Sequence, residues 1–145
     1  MSDITTQRNI GSLIAPVTGV FPQSAATGTV NGVSIDRTLH NLAGSCEMLQ
    51  AIGSASGAPT ALSVQTTLQH SPDNVTWSNY QFGGVTQQTA ALTTANSSNT
   101  AAIDLTGAYR FIRTTTTIAF TGGTTPTIPI TTNVVLGGER VLVAA

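Results

Sequence analysis

DLTGAYRFIRTTTTIAFTGGTTPTIPITTNVVLGG, residues Asp104–Gly138, is the stretch that decides the fold class. It is dominated by Thr, Ile, Val, Phe and Tyr, is interrupted by Gly122-Gly123 and by Pro126 and Pro129, and has only Asp104, Arg110 and Arg113 as charges. β-Branched and aromatic side chains suit a pleated, half-buried surface, so the stretch predicts two strands joined by a Gly/Pro loop. It carries none of the residue clusters that chemistry needs. A chain rich in strand and poor in reactive groups reads as a building part.

The strand signal continues upstream. Ser45–Ile52 alternates Cys46, Met48 and Gln50 against Glu47, Leu49 and Ala51. Leu62, Val64, Thr66 and Leu68 face one way, and Ser63, Gln65, Thr67 and Gln69 the other, the period of two of an antiparallel strand with one wet face. Asn31-Gly32 predicts a two-residue hairpin turn, Ser71-Pro72-Asp73-Asn74 a turn, and Gly83-Gly84 a bend. Val75 and Trp77 read as one face of a short strand, 90–99 as a loop or weak edge strand, and Arg140–Val143 as a closing strand. Thr38–Ala43 allows one helical turn. Seven or eight short strands without an amphipathic helix predict an all-β, antiparallel β-sandwich or jelly roll.

The first 28 residues differ, because Gly11, Pro16, Gly19, Pro22 and Gly28 interrupt every apolar group. The division is therefore an N-terminal arm, 1–28, and a sandwich domain, 29–145. Ile10, Leu13, Ile14, Val17, Val20 and Phe21 are the arm's apolar residues. Two readings stay open: a frayed terminus, or an extended arm docking on a neighbouring subunit.

Charged residues are 8% of the 145, against roughly 25% in an average domain, and no lysine is present. A net charge of −1 offers no footprint for a phosphate backbone, so nucleic acid is not an expected partner. So little charge protects weakly against self-association, which favours a surface covered by copies or partners. No apolar run reaches the roughly 20 residues of a membrane span, and Met1–Gln7 lacks the features of a secretory signal. Cys46 is the lone cysteine, read as a small buried hydrophobe, and synthesis in the cytoplasm is expected.

The order of motifs then resembles a known group. GVSID (32–36), LQHSPDNVTW (68–77), DLTGAYRFIR (104–113), a Gly-Thr-Thr-Pro loop and VVLGG (134–138) follow one another. This resembles small structural proteins of tailed bacteriophages, often found as head decoration or cement proteins. In that group a Leu-Gln-x-Ser strand leads into an Asp-rich turn and Thr-x-Trp, and a Leu-x-Gly-x-x-Arg-Tyr-x-Arg strand recurs. The likeness spans about residues 30–140; Asn74 stands where Gly often sits and Phe111 replaces Tyr. It implies β-sandwich subunits, commonly trimeric, that bind the major capsid protein on the virion exterior and reinforce the shell. Related tail or fibre modules supply the alternative, a receptor- or carbohydrate-binding module.

Candidate sites are sparse. His40 and His70 lack acidic or thiol partners at ligand spacing, so no metal, cofactor or catalytic residue is assigned and the chain is read as a non-enzyme. No nucleophile-elbow motif supports a Ser/His/Asp triad. Trp77 and Tyr80 could form a sugar-stacking platform, while capping of the core by Trp77 is the favoured reading. Arg110 and Arg113 sit three apart, so a strand would turn one inward. An intersubunit or edge ion pair with Asp104 or Glu139 is the expectation.

Overall fold

The computed structural model describes residues 14–138, which form twelve strand segments and one 3-10 turn. The segments are β1 (Ala15–Thr18), β2 (Gln23–Ala25), β3 (Gly28–Asn31), β4 (Ile35–Asp36), β5 (Ser45–Ile52) and β6 (Ala61–Ser71). After them come β7 (Ser78–Asn79), β8 (Gln81–Phe82), β9 (Val85–Thr86), β10 (Ser97–Asp104), β11 (Phe111–Thr121) and β12 (Ile128–Gly137). All pairings are antiparallel.

Several segments are pieces of one broken strand. β1 and β2 both pair with β12, and β3 and β4 both pair with β11. β7 shares the free edge of β6 with residues 87–92, through bridges Thr67–Gln88 and Val64–Leu92. The two sheets are then β1/β2–β12–β5–β10 and β3/β4–β11–β6–β7/87–92. From β4 onward the major connections cross from one sheet to the other, and the first strand lies beside the last. That is the eight-stranded jelly roll, so the expected sandwich is present with its topology defined.

The alternation read from sequence sets the faces: Cys46, Met48, Gln50, Val64, Thr66 and Leu68 are buried. Two apolar clusters result. One, around Met48, Leu68, Tyr80, Ile112 and Leu136, lies towards the start of β5. The other, around Val20, Ile52, Val64, Ile118 and Ile128, lies towards its end. Between them the central strands turn polar side chains inward. Thr66 donates to Gln50 Oε1 (2.8 Å) and shares a hydrogen bond with Thr116 (2.9 Å), while Thr114 and Thr132 share one of 2.7 Å. Gln50 Nε2 closes the network on Ala90 O and Asn99 Oδ1. Every member has a partner, which is what makes such a layer tolerable in a core.

Three local expectations change. Asn31-Gly32 is not a hairpin turn; Gly32 N–H donates to Thr114 O at 2.7 Å, so the chain continues along β11. Five residues, Asn31 to Ile35, there oppose four, Thr115 to Ile112, which is a bulge. The tight hairpin is β8–β9, where Gly83 and Gly84 have φ of +59° and +79°, the positive values its turn demands. Val75 and Trp77 lie in a turn rather than a strand. Asp73 Oδ1 accepts the N–H groups of Val75 (2.9 Å) and Thr76 (2.8 Å), which curls the backbone.

The expected arm is also redrawn. Its described part, from residue 14, forms β1 and β2 against β12 of the same chain, and Val20 is buried. The strands were hidden by Pro16, Gly19 and Pro22, which break the run without removing it from the sheet edge. Ile10 and Leu13 lie outside the described residues, as do Glu139 and the Arg140–Val143 strand.

Candidate functional site

One end of the sandwich collects most of what could act. The starts of β5 and β11 and the ends of β4, β6, β10 and β12 meet there, and loops 37–44, 72–77 and 105–110 cover it. Asp36 starts the 3-10 turn Arg37–His40 by accepting Thr38 N–H at 3.0 Å. Backbone bonds then tie the loops together: Arg37 N–H to Arg110 O and Leu105 N–H to Gly44 O, both 2.9 Å.

Arg110 does form an ion pair, with Asp36 rather than Asp104. Nη2 meets Asp36 Oδ2 at 2.8 Å and Nε meets Oδ1 at 3.1 Å, a two-point contact at the surface. Those bonds hold the Asp36 carboxyl well below the usual carboxylate range. Asp104 instead accepts the N–H of Thr106 at 2.8 Å, a local turn that also lowers its pKa. Arg113 lies on the outer face: its Nε donates to Gln69 Oε1 at 2.9 Å and its guanidinium sits 4.3 Å from the Trp77 ring centroid. Neither arginine turns inward, because Arg110 precedes β11 and the period of two does not reach it.

The inward arginine is Arg37, which sequence reasoning passed over because one charge in a short turn has no periodicity to betray its face. It is 7% exposed. Nη1 donates to Ala108 O (2.7 Å) and Tyr109 O (3.1 Å), and Nη2 to Ala43 O (2.9 Å). Burial lowers its pKa.

The two aromatics of the expected glycan platform part company. Tyr80 is buried, with its hydroxyl donating to Asp104 O (2.7 Å) and Thr106 O (2.8 Å), so it belongs to the core and not to a platform. Trp77 is half-buried on Arg113 and lies outside both apolar clusters, so it does not cap the core. His70 packs between Tyr109, stacked at 4.3 Å, and the edge of Tyr80, and its Nδ1 accepts Tyr109 N–H. Cys46 is buried, and burial pushes its thiol up to about 12. Among the described residues, no three His, Cys, Asp or Glu side chains are grouped to hold a metal ion.

Two hollows flank this end. A shallow one of about 690 Å³ lies between Ile14, Ser45–Glu47, Ala102–Asp104 and Val135. A second, of about 430 Å³, lies between Arg37, Leu42, Leu105–Ala108 and Arg110. Leu39 (78% exposed), Leu42, Val75 and Tyr109 all present apolar surface on the loops of the same end.

No family model matches the chain, and no curated protein matches it. Among solved structures it is similar to the PBSX exported protein XepA, with 13% identity and a TM-score of 0.56 over 90% of this chain. The chain spans 39% of that protein's length. It is also aligned with the SPBc2 prophage-derived protein YomS, at 14% identity and a TM-score of 0.42, over 85% of this chain and 95% of that one. Desmodium yellow mottle tymovirus follows at 12% identity and a TM-score of 0.35, over 92% and 84%. The first of these likenesses is one of fold.

Proposed function

We propose that the chain is a structural, non-enzymatic virion protein that binds the exterior of a tailed-phage capsid as an oligomer, a trimer, and stabilises the shell. The observation that carries this reading is the grouping of Leu39, Leu42, Val75 and Tyr109 on the loops of one end. Exposed apolar side chains gathered on a protein with 8% charged residues suit a surface that another protein covers. The fold shared with a phage-derived exported protein and the motif order are consistent with that setting. The major capsid protein and further copies of the chain are the partners. Each contact can be weak, since a shell repeats it many times.

Cosedimentation of the purified protein with undecorated heads, followed by electron microscopy of the decorated particles, tests the reading. Added density at regular positions, in copy number matched to capsomers, is the expected result. Heads that stay bare at saturating protein would refute it.

A second reading, a receptor- or carbohydrate-binding module, is favoured by one observation. Trp77 lies on the Arg113 guanidinium beside Gln69 and Asn79, an aromatic flanked by amides on an outer sheet face. Glycan-array binding that disappears in Trp77→Ala would support it.

A further inference from the structure

The hollow beside Arg37 combines an open volume with an unmet charge. Arg37 Nε is buried with no hydrogen-bond partner. Its Nη groups find only carbonyl oxygens, which are neutral. Among the described residues the one ion pair is Arg110–Asp36, and no described carboxylate balances Arg37. A guanidinium withdrawn from water and left without an anion is a costly arrangement, and its field is least screened inside the hollow it lines.

We propose that this hollow is a carboxylate-binding site, and that its occupant is an acidic side chain presented by a protein partner. The identity of that partner as a capsid subunit rests on the reading above. A carboxylate would neutralise the charge that the carbonyls only solvate, meeting the guanidinium from the hollow that Arg37 lines. The lining favours a single small anion over phosphate. Leu42, Leu105 and Ala108 give apolar walls, and Arg110, the second cation there, is already engaged by Asp36. The setting favours a protein-borne group over a free one. Leu42 and Tyr109 stand exposed beside Arg37 and Arg110, ready to be covered by the surface that carries the acid.

Arg37 itself ties loops 37–44 and 105–110 together, so its removal tests folding as much as binding. Leu42→Glu is the cleaner variant, because Leu42 is exposed and lines the hollow. The full chain is titrated by NMR with glutamate capped at both termini, with capped glutamine as the neutral control and inorganic phosphate as a second anion. Saturable shifts at the amides of 105–110 and at Arg37 Nε–H are expected with capped glutamate alone, weakened about tenfold or more in Leu42→Glu. Equal shifts from glutamine, stronger ones from phosphate, or unchanged affinity in Leu42→Glu would overturn the site. Binding seen only in Glu139→Gln would give the hollow to the chain's own carboxylate and overturn the proposal. Undecorated heads supply the second arm. If heads capture wild type and Leu42→Glu equally, the partner assignment falls. If capped glutamate binds but heads ignore the wild type, the virion reading fails and the carboxylate site stands.

Discussion

His70 is the residue whose protonation the fold resists most visibly. Burial first, and the nearby charge of Arg37 second, lower its pKa, and Nδ1 is occupied as an acceptor of Tyr109 N–H. The unfolded chain therefore binds the proton more readily. Stability from this group is complete above about pH 6.5 and is lost as pH falls towards the folded pKa. The wild type is expected to lose Tm between about pH 7 and 5, and His70→Gln should flatten that fall. The same slope in both proteins would show that His70 is not its source. Asp36 and Asp73 act in a lower window. Their folded pKa values are depressed, Asp73 to about 2 by the N–H groups of Thr76 and Val75 and the Ser71 hydroxyl, so their contribution is lost only below about pH 4. The site was the least legible part of the chain for a related reason. Arg110 and Arg113 stood out because they sit three apart in a strand pattern, but partner and face depend on loops 37–44 and 105–110 meeting in space. Arg37, the one that turned inward, offered no pattern at all.

At the scale of elements, the broken strands depend on close backbone approach. Gly19 and Gly32 lie over the Thr114–Thr132 pair, and Val33 N–H donates to Gly19 O at 2.9 Å. A Cβ on Gly32 would stand 2.6 Å from Thr114 Oγ1 and 3.0 Å from the Gly19 carbonyl carbon and oxygen. Gly32→Ala should cost about 1–3 kcal/mol in denaturant unfolding, the range of overpacking. Gly44→Ala, with its nearest neighbour at 3.7 Å and no positive φ, should be tolerated. β5 and β6 were readable because each alternates cleanly over eight or more residues. β1 to β4 were not, since two to four residues are too few to display a period and proline and glycine conceal what remains. The run Thr114–Thr117 hides its facing in a different way. Its threonines suggest a wet outer face, yet Thr114 and Thr116 are buried, because a hydroxyl satisfied by another threonine is as acceptable inside as out.

For the whole molecule, the polar layer divides the core and ties the sheets together at its waist. Gln50 on β5 reaches Thr66 on β6, Asn99 on β10 and the carbonyl of Ala90, so four segments share one side chain. Gln50→Met keeps the size and adds apolar surface, but leaves the Ala90 carbonyl, Asn99 Oδ1 and the Thr66 hydroxyl with fewer partners. It should lower stability by about 1–3 kcal/mol, measured as a shift in denaturant midpoint at unchanged m value. A gain in stability would mean that the layer is dispensable. Composition and alternation made the sandwich class legible, while the jelly-roll order required the pairing of β1/β2 with β12, a contact more than a hundred residues apart in sequence.

The bond from Val33 to Gly19 has one more effect. It joins the outer strand of one sheet to the outer strand of the other, so that flank of the molecule is sewn shut and offers no continuous ladder for a stranger to extend. Backbone zippering into filaments is left to the opposite flank, where β10 is polar and Asn99 is already turned towards Ala90. Copies crowded side by side can therefore meet through side chains and loop ends while their hydrogen-bonding edges stay apart. For a protein with so little charge to keep its neighbours at a distance, that seam is a safeguard against fibres.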